Sequence, residues 1–353
     1  MRTYYVGMDV HQASISVAVF DHGGKLVIES VFATSAQAVT TFFNTLHAEV
    51  HATLEECPQA AWFYDLIRPL VAELVVCAPR RNKLLLSGNK SDRLDSRKLA
   101  HLLRGRLLSP IYHGEHGTRT LKELVRSDEA LVRDAARVMS RIKALFIGRG
   151  IACRGVSVYT ARHREQWLAR LEEPGHRLRA AMLYRQLDEL TRLRIEARQA
   201  MLAEARHHRA CSLLKQIPLI GPVRAAQIVA TVDTPHRFRT KRQFWAYIGL
   251  AVTTRSSADY RVTGSGLRRK GRQVQTRGLN ANFNHRLKST FKSAAMSACR
   301  YEPYKQLFER MLEGGMRPEM ARLSIARKLS ATALAVWKRG ENFAAGRVTG
   351  IAT

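Results

Sequence analysis

The sequence predicts an α/β domain over residues 1–112, a helical coiled-coil middle over 113–208, a mainly α-helical domain over 209–345 and a short tail over 346–353. Three observations predict this. β-branched runs alternate with helix-spaced segments as far as Arg104, apolar residues recur in three- and four-residue steps from Leu121, and beyond Ile217 a Pro/Gly-punctuated helical pattern runs into a strongly basic segment.

In order, "YYVGMDV" and "ISVAVFD" read as strands separated by a polar turn, and "KLVIESVFA" follows the turn signal Gly23-Gly24, giving a three-strand meander. "SAQAVTTFFNTLHAEV" has helical spacing, "HATLEEC" is a short strand, and "QAAWFYDLIRPLVAE" is helical. "LVVCAP" is an apolar strand closed by Pro79, and a helix begins at about Asp92. The order β-β-β-α-β-α-β-α places carboxylates on the first strand (Asp9), the fourth (Glu55 or Glu56) and the last helix (Asp92, Asp95). This is the layout of a ribonuclease-H-like fold, in which those places meet at one end of the sheet.

The middle region carries Leu124, Leu131, Ala135, Val138, Ile142 and Leu145 at heptad steps, with Asp128 in one slot. A second run, Leu183, Leu187, Leu190, Ala197 and Met201, keeps the same steps with Arg194 in one slot. Two long helices are expected, as an antiparallel pair or a dimer seam. Plain globular packing is the alternative, because neither run greatly exceeds three heptads. "LLKQIPLIGPVRAAQIVATV" then reads as a helix ending near Ile217, a tight turn around Gly221 and a new helix with free amides. That is a helix-hairpin-helix-like element able to hold a phosphate.

Composition narrows the partners. The 353 residues are 46% hydrophobic, enough for real cores, while 58 Lys+Arg against 29 Asp+Glu give a net charge of +29. Such a charge implies a polyanion, and nucleic acid is the usual one, because each neutralised phosphate releases condensed counterions. No apolar run approaches the roughly 18 residues of a membrane span, and the start lacks a signal-peptide block, so a cytoplasmic protein is expected. Five scattered cysteines without a C-x-x-C pair argue against a disulfide framework or a Cys-rich zinc site. Between Arg237 and Lys292 there are fourteen Lys/Arg and one acid, Asp259, interleaved with glycines and with Trp245, Tyr247, Tyr260 and Phe283. Too few acids are present for a solvated ion-paired face, so this segment is read as a nucleic-acid contact. Its candidates are Arg255, Arg261, Arg268, Arg269, Lys270, Arg272 and Arg277.

Asp9 sits in a central strand whose apolar residues Val6, Met8 and Val10 face the other way, and an acid there is costly unless something offsets its desolvation. Asp92 and Asp95 are three apart on one helix face; alone they read as surface charge balancing among Lys90, Arg93, Arg97 and Lys98. Gathered with Asp9 and Glu55 they form a cluster that needs cations. Two Mg²⁺ ions about 3.5–4 Å apart would relieve the repulsion and suit phosphodiester chemistry. Periodicity does not choose between Glu55 and Glu56. His47/His51 and His113/His116 have helical spacings but lack a residue to complete a zinc motif. The start also looks like the first phosphate loop of actin-like ATPases, without the second glycine-rich loop that group needs.

The segments "YYVGMDVH", "ATLEEC", "VVCAPRRNKLLLSGNKSDRLDSRKLAHLLR", "IPLIGPVRAAQIVA", "FRTKRQFWAYIGLAVTTRSSADYRV" and "ARLSIARKLSATALAVWKRGE" together resemble the DEDD transposases of the insertion-sequence family numbered one hundred and ten. The resemblance runs from Tyr4 to Glu341. It implies a transposase or site-specific DNA recombinase with a RuvC-like domain, a coiled coil and a C-terminal transposase domain, guided by a structured non-coding bridge RNA. By motif it carries over Asp9, Glu55, Asp92 and Asp95 as catalytic acids and metal ligands for Mg²⁺ or Mn²⁺, preferring Glu55. It also carries over a serine nucleophile in "TRSSADYR", Ser257 or second Ser256, with Ala258 where the family commonly has glycine. Donor and target DNA, the guide RNA and a homo-oligomer, dimer or tetramer, are the implied partners. The alternatives are a RuvC-like metal-dependent nuclease acting on branched DNA and a non-catalytic nucleic-acid-binding scaffold.

Overall fold

Alternation at Val6, Met8 and Val10 and at Ile15, Val17 and Val19 gives the first two strands, β1 (Thr3–Val10) and β2 (Ser14–Asp21), one apolar face each. The structure, a computed structural model, describes residues 2–79, 91–114, 117–255, 260–264, 266–269 and 275–346. The chain divides into two units, residues 1–115 and 116–353. In the first, β1 and β2 pair antiparallel with Met8 opposite Val17 and Val6 opposite Val19, and β3 (Leu26–Ala33) completes the meander. Helix α1 (Ala36–Asn44) starts where the Ser35 hydroxyl accepts from the Ala38 amide. It leads to β4 (Glu49–Glu55), parallel to β1; α2 (Ala60–Ile67) then leads to β5 (Glu73–Cys77), parallel to β4. The sheet order is β3-β2-β1-β4-β5, a mixed sheet with the succession of elements that the sequence predicts.

The Val6/Met8/Val17/Val19 face is covered by α1 and α2 through Val39, Phe43, Phe63 and Ile67, each side chain worth about 1.5–3 kcal/mol once fully buried. The other face takes α3 (Asp92–Arg104), which begins at Asp92 as expected, with the Ser91 hydroxyl capping it by accepting from the Leu94 amide. Small residues make that possible: Gly7 pairs with Ala18 across the strands, and a Cβ on Gly7 would lie 2.2 Å from the Ser96 carbonyl oxygen and 2.4 Å from the Ala100 amide nitrogen. Arg97 on α3 donates two bonds, 2.7 and 2.9 Å, to the carboxylate of Glu29 on β3 and ties the helix to the sheet.

The second unit is mostly helical. Helices α4 (Arg119–Ile147) and α6 (Pro174–Ala205) run antiparallel along each other, with the short α5 (Arg164–Leu168) beside them. The buried residues of α4 include Leu121, Val125, Asp128, Ala135, Val138, Ile142 and Leu145, whereas Leu124 and Leu131 are only partly buried. A straight helix of 3.6 residues per turn drifts against a 3.5-residue repeat, and the stripe shifts by about one position along its length. Helices α7 (Arg209–Leu214), α8 (Pro222–Val232), α9 (Lys241–Tyr247), α10 (His285–Ala298), α11 (Tyr304–Glu313) and α12 (Pro318–Arg339) share one core with the α4 start and the α6 end.

Two details differ from the sequence reading. In the turn before α8 the left-handed residue is Leu219 (φ 67°), while Gly221 is the extended cap of α8 at φ −70°; Arg224 holds the Leu219 carbonyl at 2.8 Å. The basic segment also forms two short antiparallel ladders, β6 (Val252–Arg255) with β9 (Gln275–Leu279) and β7 (Tyr260–Thr263) with β8 (Gly266–Arg269). Strands built from Arg, Gly and Thr carry no apolar alternation to reveal them.

Candidate active site

Asp9 lies one residue before the end of β1, directly across from the buried Ser16 on β2, on the face that α3 covers. The parallel register sets Gly7 beside Thr53 and Met8 beside Leu54, so Glu55, the last residue of β4, follows on the same face and at the same edge as Asp9. Glu56 falls on the opposite side, where its carboxylate meets His113 Nε2 at 2.8 Å. The first turn of α3 brings Asp92 and Asp95 to this edge. Carboxylates are favoured there by the helix dipole.

A residue not singled out in the sequence sits between them. His11 Nε2 is 3.2 Å from Asp9 Oδ2 and 3.4 Å from Asp92 Oδ1, and the ligand atoms of Asp9, His11 and Asp92 all lie within 4.8 Å of one another. Its signal was present: His11 is two residues beyond Asp9, the spacing that returns a strand side chain to the same face. Asp95 keeps Lys98 Nζ at 3.5 Å from its Oδ1. Burial pushes the Asp9 carboxyl above the usual carboxylate range, the His11 imidazole pulls it down, and the charges of Asp92 and then Asp95 push it up again. Asp9, Asp92 and Asp95 thus share one electrostatic site with His11, and Glu55 borders it. The clustered carboxylate oxygens are donors that fit a hard divalent cation, and the His11 imidazole beside them is a ligand better suited to softer transition metals.

Ser256 and Ser257 lie outside the described residues, between the last residue of β6 and the first of β7, as do Lys270 and Arg272. Arg255, Arg261, Arg269 and Arg277 are strand residues of the two ladders, and Arg268 is exposed. Arg261 and Arg268 are register partners in the second ladder. The aromatic residues of this segment divide. Trp245 and Tyr247 are partly buried against the helical core, Trp245 donating its indole N–H to the Ser330 hydroxyl and the Arg327 carbonyl. Of the other histidine pairs, His51 bonds Glu73 at 2.9 Å through Nδ1 and His113 bonds Glu56, both as structural partners.

The chain thus combines an α/β sheet unit, with carboxylates gathered at the ends of two parallel strands, and a basic, mostly helical unit. The chain belongs to the IS110 family of transposases. Residues 6–148 match the IS110 DEDD transposase model, described as a transposase, and residues 211–309 match the Transposase IS116/IS110/IS902 family model, roughly two thirds of the chain between them. Two relatives are similar along most of it. A protein of Sinorhizobium fredii named as a putative transposase, y4qE, is 24% identical over 272 residues, 73% of this chain; the alignment spans 65% of that relative's length. The transposase for insertion sequence element IS1111A of Coxiella burnetii is 23% identical over 299 residues, 82% of this chain and 80% of its own.

Proposed function

We propose that this protein is the transposase of an insertion sequence, a site-specific recombinase that cleaves and rejoins DNA strands. The observation that carries the reading is the convergence of Asp9, His11 and Asp92, with Asp95 beside them, at one end of a mixed sheet. The sheet order and the placing of Glu55 on the same edge support a RuvC-like, ribonuclease-H-like assignment of the first unit. Asp9, Glu55, Asp92 and Asp95 would hold Mg²⁺ or Mn²⁺. A divalent cation bound there supplies charge neutralisation at the oxygens of a scissile phosphodiester. Asp9 is fixed by its strand and Asp92 and Asp95 by the first turn of α3, so the residues orient that centre without rearrangement. The Arg97–Glu29 bond holds α3 in place.

The nucleophile in this reading is Ser257, or Ser256. Its oxygen attacks phosphorus and loses its proton, one P–O ester bond breaks, and the departing strand keeps the oxygen and takes up a proton; the reverse attack rejoins the ends. The basic segment from Arg237 to Lys292 holds the DNA or its structured guide RNA, and its unbalanced charge supports this. Because the acids and the serine lie in different units, a homo-oligomer with composite sites is proposed. Mixing Asp9→Asn with Ser257→Ala protein is expected to recover part of the recombination that each lacks; an inactive mixture containing heteromers contradicts assembly in trans.

Trapping distinguishes the chemistry. Incubation with element-end DNA and Mg²⁺, then denaturing electrophoresis and mass spectrometry, is expected to give a covalent adduct on residue 256 or 257. Cleavage without an adduct would instead indicate a hydrolytic nuclease, and metal-dependent cleavage of either kind excludes a non-catalytic scaffold. RNA sequenced from the purified protein is expected to be a single structured species; a random population contradicts RNA guidance.

A further inference from the structure

The apolar seam between α4 and α6 is interrupted. Leu121 and Val125 join Met201 and Ala205 in the C-terminal core, Ala135 to Phe146 join Ala180 to Leu187 in a separate one, and the stretch between mixes Leu131, Val132 and Leu193 with Asp128, Arg133, Arg194 and Arg198. Asp128 and Arg194, the two residues that break the heptad pattern, fall in this gap. Here α4, α6, α8 and α10 surround a cavity of about 430 Å³ into which Arg133, Arg194, Arg198, Arg224 and Arg286 converge. Its only acids among the described residues are Asp128 and Glu129. Asp128 is buried and accepts both 3.1 Å bonds of the Arg198 fork; Glu129 takes Arg286 at 3.0 Å.

The Asp128–Arg198 pair has a structural role, since a buried polar pair fixes the register of two helices. That role does not extend to Arg194, which makes no ion pair among the described residues, nor fully to Arg133, whose Nε donates to the Glu129 backbone carbonyl at 3.2 Å and whose charge helps draw the Glu129 carboxyl down. Arg224 is anchored on the Leu219 carbonyl at 2.8 Å, with its other nitrogen 3.4 Å from the Ser293 hydroxyl, so it is held facing the cavity. Ser289, Thr290 and Gln227 add hydroxyl and amide groups to the wall. Guanidinium groups from four helices, with only two acids to match five, form an anion site, and planar forks of this kind match phosphate oxygens.

We infer that this cavity seats a backbone phosphodiester of the bound nucleic acid, at a place separate from the basic ladders between residues 252 and 279. The inference rests on the proposed nucleic-acid-dependent function and adds where in the helical unit a strand is gripped. The shared chemistry is the phosphodiester, and three probes separate its sources: a labelled single-stranded DNA 30-mer, the same sequence as duplex, and the RNA 30-mer.

The test compares the full chain with an Arg133→Gln/Arg194→Gln variant by fluorescence anisotropy over a salt series. The variant is expected to bind at least one probe about tenfold more weakly near 0.15 M salt, with the slope of log K against log salt flatter by about 0.7–0.9 for each phosphate that is no longer neutralised. The Lys/Lys counterpart is expected to recover part of the affinity, since it restores the charge without the fork. A second measurement uses the wild-type protein: arginine-selective phenylglyoxal labelling, mapped by mass spectrometry, is expected to spare Arg194 when the tightest-binding probe is present. Wild-type binding with unchanged variant affinity and unprotected Arg194 overturns the cavity assignment alone. Failure of the wild-type protein to bind any probe overturns the proposed function along with it.

Discussion

Gly7 and Asp9 alternate on β1 and His11 follows just past its end, and each serves the same site in a different way. Gly7 admits α3, Asp9 presents the half-buried carboxylate, and His11 spans it and Asp92. A methyl group on Gly7 meets backbone atoms of α3, which have no rotamer to escape by. Gly7→Ala is therefore expected to lower stability by about 1–3 kcal/mol in urea unfolding and to reduce cleavage by displacing Asp92 and Asp95. Unchanged stability would mean that α3 does not sit so close. Burial and two like charges raise the Asp9 pKa, so its ionised form weighs against the metal-free fold at any pH above that raised value, and the penalty fades as pH falls through it. At pH 7, Asp9→Asn without metal is expected to melt at or above the wild-type Tm, and Mg²⁺ is expected to raise the Tm of wild type but not of the variant. A Tm that Mg²⁺ raises equally in both removes Asp9 from the ligand set. Asp9 was legible in the sequence because an acid interrupts an apolar alternation. Gly7 was not, because its importance comes from α3, which is remote along the chain; His11 offered only its spacing two residues beyond Asp9.

At the scale of elements, the sheet succession was legible because strand and helix periods differ and because Gly23-Gly24 and Pro79 mark its turns. Glu55 and Glu56 required register: only the pairing of Met8 with Leu54 says which of them joins Asp9. The two long helices were legible, but the apolar steps continue through a gap that side chains fill with charge, and one-dimensional periodicity does not distinguish a buried ion pair from a seam. Removing Arg198 would strand a carboxylate that is 1% exposed. Arg198→Ala is expected to cost about 3–5 kcal/mol, while the double change Asp128→Leu/Arg198→Met is expected to restore most of it. A double variant as unstable as the single one would show that the pair contributes more than mutual neutralisation.

Over the whole molecule, a charge of +29 makes binding to any nucleic acid dominated by counterion release. Affinity is expected to fall steeply between about 50 and 200 mM salt, by a factor of about 10³ or more if six or more phosphates are neutralised, and a flat salt response would point to a partner other than nucleic acid. The expectation of that partner class comes from composition alone. The two ladders in the basic segment were not readable from it, and Trp245 and Tyr247, which sequence grouped with that segment, turn inward because the helical core needs their area. Whether the acids act as one catalytic centre is tested most directly by strand cleavage with purified protein. Element-end DNA is incubated with wild type, Asp9→Asn and Asp92→Asn, with Mg²⁺ or with EDTA, after circular dichroism has established that all three are folded. Cleavage by wild type in Mg²⁺, none in EDTA and a loss of at least about a hundredfold in both variants is the expected result. Full cleavage by either folded variant, or by wild type in EDTA, would contradict it.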